Sequence, residues 1–423
     1  MLALQYIREN KDDVLEGLKK RGFKNLKIIN QIINLDSERR TKQAELDNHL
    51  AESNQIAKEI GKLFKAGEFN EANVLKEKSL VYKVKTKKLQ DQLQKTTSLL
   101  FDLRTQVPNI PHKSVPYGSS EEDNEEVFNS GAIPELENGA LPHWELANKY
   151  DLIDFDLGNK ITGAGFPVYK GKGAKLQRGL INFFLDRNIA AGYKEVQLPL
   201  LVNEESGFGT GQLPDKEGQM YHVQNENLYL IPTAEVPITN IYRNNLLDVS
   251  ELPIALTGYT PCFRREAGSY GAHVRGLNRL HQFDKVEIVR IEKPENAMQA
   301  LEKMVDHIKS ILNELEMPYR ILKLCGGDLG FTSALTYDFE IYSTAQKRWL
   351  EISSVSTFNN FQAERLKLRF KDVQGKKQSV HTLNGSSLAL PRVIAGLLEN
   401  CQSPQGIKIP KSLVSYTGFD QIK

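Results

Sequence analysis

TPCFRREAGSYGAHVRGLNRLHQFDKVE, Thr260 to Glu287, is the densest charged segment of this 423-residue chain. Its two ends have strand character. Its middle holds Gly268, Gly271 and Gly276 with Ser269 and Tyr270, so the segment reads as two antiparallel strands joined by a long loop. Arg264, Arg265, Arg275 and Arg279 gather on that loop with Glu266 and Glu287. One Arg–Glu pair would be an ordinary surface salt bridge. Four arginines on one hairpin loop fit a polyanionic ligand better, because the guanidinium fork matches phosphate oxygens. Phe283, taken alone, reads as a core residue of the returning strand.

Outward from this hairpin the texture is mixed. Short β-rich runs such as VQLPLLV (Val196–Val202), LYLIP (Leu228–Pro232) and KVEIVRI (Lys285–Ile291) alternate with helical runs such as Ala174–Gly192 and Pro294–Leu315. This predicts an α+β domain over residues 141–423, a mainly antiparallel sheet flanked by helices. Proline-rich PNIPHKSVP (Pro108–Pro116) and acidic GSSEEDNEE (Gly118–Glu126) predict a linker over residues 109–140.

Residues 1–108 have a different character. A short helix is expected from Asn10 to about Arg21, stopped by Gly22. Phe23–Ile60 and Glu68–Val107 contain neither Gly nor Pro, and KAGEF (Lys65–Phe69) supplies a turn between them. Both runs carry a seven-residue apolar period. In the second, Leu75, Tyr82, Leu89, Thr96 and Leu103 form one column, and Ser79, Thr86, Leu93 and Leu100 the other. In the first, Ile28, Leu35, Ile56 and Leu63 run beside Ile32, Leu46 and Ile60, interrupted by Arg39, Lys42 and Ser53. The pattern predicts an antiparallel two-helix coiled coil, each helix roughly 57 Å long at about 1.5 Å per residue, projecting as an arm. Lys76, Lys78, Lys83, Lys85, Lys87, Lys88 and Lys95 make the outer face of the second helix basic. On the arm alone, that face fits a solvated flank as readily as a phosphate-contact surface.

A formal charge of +2 requires any nucleic-acid partner to be met by a local basic face. Three widely spaced cysteines, Cys262, Cys325 and Cys401, argue against a disulfide framework or a zinc site. The N-terminus lacks a secretory pattern and no apolar run reaches the roughly 20 residues of a membrane span, so a cytoplasmic location is expected, with no membrane partner. Neither the G-x-x-x-x-G-K-[ST] loop nor a G-x-G-x-x-G after a strand is present. GFGTGQ (Gly207–Gln212) reads as a mobile loop near a substrate entrance.

The Thr260–Glu287 segment resembles motif 2 of the class II aminoacyl-tRNA synthetases, and its wording is nearest to the seryl-tRNA synthetases. Other segments agree in order. Lys175–Pro199 resembles motif 1, a long helix and then a strand ending in Pro199, which builds a homodimer interface in the family. TAE (Thr233–Glu235) resembles the serine-binding loop, EISS (Glu351–Ser354) the metal and ATP strand, and NGSSLALPR (Asn384–Arg392) motif 3. The helical arm is similar to the family's tRNA-binding arm.

The resemblance implies ATP-dependent attachment of L-serine to tRNA-Ser through a seryl-adenylate, with Mg²⁺ and a homodimer. The family commonly serves tRNA-Sec as well. It also implies residue roles. Arg264 would hold the α-phosphate and the serine carboxylate, Glu266 the adenine amino group, and Phe283 the adenine face, with Arg392 covering the other side and reaching the γ-phosphate. Arg265, Leu280, Ile352 and Ser353 complete the ATP site, and Glu351 and Ser354 would bind Mg²⁺. Glu235 and Thr233 would receive the serine ammonium group. Glu287 and Ser386 would recognise its hydroxyl, with Ala234 and Asn384 also in the serine site. Lys76, Lys78, Lys83, Lys85, Lys87 and Lys88 would touch tRNA. Ser387 and Pro391 stand where many members have glycine, and Val355 where Cys often follows EISS. A threonyl or prolyl type would need a C-terminal anticodon-binding domain, and about 31 residues after Arg392 are too few. Synthetase-like enzymes that act on carrier proteins lack the arm. A non-catalytic derivative would have damaged Arg264, Glu266, Glu351 or Arg392, and all four are intact.

Overall fold

In a computed structural model of the chain, residues 1–130, 133–136, 139–215, 217–266 and 275–423 are described. Ser269 and Tyr270, expected in the long loop, lie outside them. The chain forms two compact units, Met1–Lys19 with Phe23–Pro108, and Lys20–Gly22 with Asn109–Lys423.

The first unit is helical: α1 (Leu4–Glu9), α2 (Lys11–Lys20), α3 (Lys27–Ala66) and α4 (Phe69–Thr105). Helix α1, too short for a periodic signal, was not expected. Gly67, at φ 80°, ends α3 in the left-handed conformation that glycine adopts without a Cβ penalty. The α3–α4 seam follows the heptad columns. Ile28, Ile32, Leu46 and Ile56 of α3 are buried, as are Thr86, Thr96 and Leu100 of α4. Lys42 interrupts the apolar column and still serves the seam, because its Nζ donates to Thr96 Oγ1 at 3.0 Å. Asp36 is buried between Arg8 (2.5 Å) and Arg39 (2.9 Å), which satisfy its charge.

The second unit is α+β. Its large sheet has eight strands among the described residues, numbered here in chain order: β1 (Glu125–Asn129), β2 (Lys194–Glu195), β3 (Ile254–Phe263), β4 (Gln282–Glu292), β5 (Tyr319–Lys323), β6 (Leu335–Ser343), β7 (Arg348–Thr357) and β8 (His381–Ala389). Their spatial order is β1-β5-β6-β7-β8-β4-β3-β2. Every neighbouring pair is antiparallel except β2–β3. Helices α5 (Gly171–Ala190), α8 (Ala297–Glu314) and α10 (Leu390–Asn400) cover the sheet; α6, α7 and α9 enter with the site below. Met304, Ile308, Ile311 and Leu312 of α8 meet Phe339, Ile341, Val355 and Leu383 in one core.

Three expectations are corrected. Residues 125–129, inside the stretch read as linker, form edge strand β1 paired with β5; the acidic run hid a strand whose five residues are all exposed. The strand after α5 stops at Glu195 and does not reach Pro199. Val196 N–H still bonds Thr257 O at 2.9 Å, and Pro199 has no N–H to continue a ladder. GFGTGQ is largely not a loop: Gly207–Thr210 belong to helix α6 (Glu204–Thr210), which Gly211 ends at φ 97°. A Cβ on Gly209 would lie 2.6 Å from Leu366, so close helix packing explains a glycine that sequence reading assigned to mobility.

Candidate active site

Strands β3 and β4 form the expected hairpin, with Cys262 opposite Phe283 and Gly258 opposite Glu287. Beyond β3 the chain continues as Arg264, whose N–H bonds His281 O at 2.9 Å. An open cleft of about 180 Å³ lies here. Arg264, Glu266, Leu280, Phe283, Lys285, Glu351, Ile352, Ser353, Ser386 and Arg392 all line it. These come from the hairpin, from β7, and from β8 running into the start of α10, three separate parts of the sequence.

The two end arginines are anchored by backbone carbonyls. Arg392 donates from Nε to Asn278 O (3.2 Å) and from Nη1 to Glu351 O (2.7 Å). Arg264 donates from Nε to Pro232 O (3.3 Å), and its guanidinium lies over Phe283 at 5.2 Å. That contact occupies one face of the ring on which adenine is expected to stack, so adenine takes the opposite face or displaces the guanidinium. Glu266 has a left-handed backbone, φ 46°, uncommon for a residue with a Cβ, and its carboxylate pairs with Arg279 at 2.9 Å. Pro391 sits in the first turn of α10, where a missing N–H costs nothing. Ser387 is buried and donates to Asn188 Oδ1 of α5 at 2.8 Å. Both departures from the glycine-rich form of motif 3 therefore have local explanations, and Val355 simply packs in the core.

Glu351 and Ser354 are three apart, which in a regular strand puts them on opposite faces. A bulge in β7 changes this. Ser353 pairs with Phe339 and Glu351 with Glu340, leaving Ile352 extra. Glu351 and Ser354 therefore share a face with Glu340 and Asp338. Burial and the Glu351 charge hold the Asp338 carboxyl well above the ordinary carboxylate range. Glu351 and Ser354 offer hard oxygen donors, the set that suits Mg²⁺ together with phosphate oxygens. Among the described residues no three His, Cys, Asp or Glu side chains form a metal cage.

Behind Arg264 and Lys285 lies a polar pocket inside the protein. Glu287 Oε2 receives Lys285 Nζ at 2.7 Å and Thr233 Oγ1 at 3.2 Å. Thr233 Oγ1 in turn accepts the Glu235 N–H at 3.1 Å. Glu235 begins helix α7 (Glu235–Asn240), and its Oε1 accepts from Gln362 Nε2 at 2.7 Å; Gln362 lies on helix α9 (Phe361–Leu366). Burial, then the Glu287 charge, pushes the Glu235 carboxyl up to about 7; Gln362, Lys285 and Arg264 oppose the shift. Ser386 pairs with Glu287 in the sheet register.

Not every expected residue joins the cleft. Arg265 is exposed and does not line the cleft, while Arg275 lies over Trp144 at 4.9 Å. Ser354 and Asn384 are not in the cleft lining. The Ala234 methyl packs with Ile238, Leu256 and Val289, leaving only its backbone for a ligand. Sequence reading missed Lys285, Asp338 and Gln362. Lys285 had a signal: a Lys two residues before Glu287 in a strand shares its face. Gln362 had none, since it is 127 positions from Glu235. In the first unit Lys76, Lys78, Lys83, Lys85, Lys87 and Lys88 are all exposed on α4.

An antiparallel sheet flanked by helices, with arginines at both ends of an open cleft, is the architecture of a class II aminoacyl-tRNA synthetase core. Residues 221–401 match the family model of the tRNA synthetase class II core domain (G, H, P, S and T). Residues 1–111 match the seryl-tRNA synthetase N-terminal domain. A serine–tRNA ligase of Salinibacter ruber is 46% identical over 100% of this chain and 99% of its own. The solved seryl-tRNA synthetase of Pyrococcus horikoshii, complexed with ATP, is 35% identical with a TM-score of 0.93, covering 100% of this chain and 99% of its own. The cytoplasmic serine–tRNA ligase of Naegleria fowleri, in complex with AMP, is 25% identical with a TM-score of 0.88 over 100% of this chain and 99% of its own. The chain belongs to the seryl-tRNA synthetase family.

Proposed function

We propose that this chain activates L-serine with ATP and transfers it to tRNA-Ser. The observation that carries the reading is the junction of two sites at Arg264: an arginine-ended nucleotide cleft and a buried carboxylate pocket. In the first step the serine carboxylate attacks the α-phosphorus, pyrophosphate leaves, and seryl-adenylate forms. No general base is needed, because the nucleophile is already a carboxylate. Rate comes from holding two anions in line and neutralising them.

Arg264 bridges both anions and offsets the charge that grows at phosphorus. Arg392 neutralises the outer phosphates, Phe283 carries the adenine, and Glu266 accepts from its amino group. Glu351 and Ser354 would hold Mg²⁺, which would supply charge neutralisation at the phosphates. The Glu235 carboxylate receives the ammonium group. The hydroxyl meets Glu287 and Ser386, polar groups whose remaining hydrogen-bonding capacity alanine would leave unused, a penalty able to yield discrimination of roughly 10⁴ or more. In the second step the terminal ribose hydroxyl of tRNA attacks the seryl carbonyl and AMP leaves.

The lysine face of α4 meets the tRNA backbone, which is read largely by shape. The enzyme acts as a homodimer through α5 and the segment after it, in the cytoplasm. No helix among the described residues is long and apolar enough to cross a membrane. ATP–pyrophosphate exchange with each of the twenty amino acids tests the reading. Serine alone supports exchange; exchange with a different amino acid, or with none, overturns it.

A further inference from the structure

Helix α9 lies beside the amino-acid pocket and carries two buried polar side chains one turn apart, Gln362 and Arg365. Every polar atom of the Gln362 amide is used. Its Nε2 donates to Glu235 Oε1 at 2.7 Å and to Thr210 O at 3.2 Å, and its Oε1 accepts from Thr382 Oγ1 at 2.7 Å. A carbonyl oxygen only accepts, so Thr210 fixes which end of the amide faces Glu235. Arg365 is 5% exposed. Its Nη1 donates to Phe208 O and Leu213 O, both at 3.1 Å. Its guanidinium lies 4.6 Å from the Phe208 ring centre, 5.2 Å from Phe361 and 5.8 Å from Phe331. Nε and Nη2 have no hydrogen-bond acceptor among the described residues. Burial draws this guanidinium down to about 10, which leaves it cationic at neutral pH. A buried cation held by ring faces and two carbonyls, with no carboxylate partner, is a costly way to fill space. Its bonds all go to one place, the two ends of the Phe208–Leu213 segment.

We propose that Gln362 and Arg365 are positioning residues of the amino-acid site: they tie Glu235 and the backbone of residues 208–213 into one wall and so set the affinity for serine. This rests on the reading of Glu235 as the ammonium partner. With Oε1 taken by Gln362, Oε2 carries no hydrogen bond among the described residues and is left for the substrate. The groups facing this carboxylate are Glu287 and Lys285 on β4, Arg264 after β3 and Gln362 on α9. Of these, Gln362 supplies the direct hydrogen bond. Gly209 completes the wall: a Cβ there would meet Leu366 at 2.6 Å and the Asn240 amide at 3.0 Å, so α6 packs closely against α9.

The test is ATP–pyrophosphate exchange by the full-length chain, with kcat and separate KM values for serine and ATP from pH 6 to 9. Gln362→Leu is expected to raise the serine KM roughly 10- to 100-fold, the range for losing a hydrogen bond to a charged group, and to leave the ATP KM within about twofold. It also moves the acid limb of kcat/KM for serine to higher pH, because the carboxylate loses a donor that favours its charged form. A purely structural role would not move that limb. Gln362→Glu keeps the shape and turns the donor into an acceptor, so it serves if the leucine variant fails to fold; the same two shifts are expected. Arg365→Met is expected to raise the serine KM with the limb unmoved. Equal rises in both KM values, or an unchanged serine KM with an unmoved limb in the Gln362 variants, overturns the proposal. Glu235→Gln separates the two ideas. If it raises the serine KM while the Gln362 variants do not, only this inference falls; if it leaves the serine KM unchanged, the ammonium role falls and the inference with it.

Discussion

Glu235→Gln should make the ligand-free protein more stable at neutral and alkaline pH while damaging its function. The wild-type carboxyl is 7% exposed and faces Glu287, and burial with that charge pushes it from an ordinary 4.5 up to about 7. The sign follows from proton counting. Between pH 4.5 and 7 the unfolded chain has released this proton and the folded chain still holds it. The folded state binds more protons, so stability falls as pH rises through that window. The two values differ by about 2.5 pH units, and at about 1.4 kcal/mol per unit the loss is about 3 kcal/mol, complete above pH 7. Glutamine keeps an acceptor for Gln362 Nε2 and never ionises. The difference in unfolding free energy between variant and wild type should be near its minimum at pH 4.5 and grow to about 3 kcal/mol in favour of the variant by pH 8. Denaturant unfolding of both proteins across that range measures it, and background titrations shared by the two cancel. A difference that stays flat with pH, or that grows in favour of the wild type, would refute the account of this pocket. On the proposed role of Glu235, serine binding would work the other way: an ammonium group needs the charged form, so the substrate would relieve the electrostatic strain of this carboxyl.

Lys285→Met should destabilise the protein by about 3 kcal/mol at pH 8, because two buried carboxylates lose their nearest cation; urea midpoints check it, and a loss below about 1 kcal/mol would mean the pair is not compensating. Arg264→Ala should lower serine-dependent exchange by about 10²-fold or more with an unchanged circular dichroism spectrum; exchange at wild-type level would place the chemistry elsewhere. Deleting Asn30–Arg104 should abolish aminoacylation of tRNA while exchange continues, and equal loss of both would contradict the division of labour between the arm and the catalytic unit. Replacing Lys83, Lys85, Lys87 and Lys88 with Gln should weaken tRNA binding most at low salt, lowering the slope of log affinity against log salt by up to about 3; an unchanged slope would leave the lysines as a solvated flank.

The arm was readable because a coiled coil is written locally. A seven-residue period over two uninterrupted runs names the seam, and positions such as Leu75, Leu89 and Leu100 lie along it. The hairpin was readable for a similar reason, since its strands and turn are contiguous in the chain. The misreadings share the opposite cause. β1 is an edge strand of exposed residues, so neither of its faces writes an apolar alternation. GFGT looked like a mobile loop by composition, but Gly209 lets α6 approach Leu366 and Asn240, and Gly207 makes room for Leu213. The β7 bulge, which alone places Glu351 and Ser354 on one face, depends on which residues of β6 lie opposite.

The linear chain, by itself, determined the two-unit plan, the phosphate-seeking arginines and the order of the functional segments, because each is encoded within a few dozen neighbouring residues. Tertiary structure alone decided the state of the amino-acid pocket. Glu235 (α7), Lys285 and Glu287 (β4), Gln362 (α9) and Thr382 (β8) come from four elements, and only their burial together raises the Glu235 carboxyl, pairs Glu287 with Lys285 and bonds one Glu235 oxygen to Gln362. Charge in a low-dielectric interior is governed by what lies within a few ångströms, and that neighbourhood does not exist until the chain has folded.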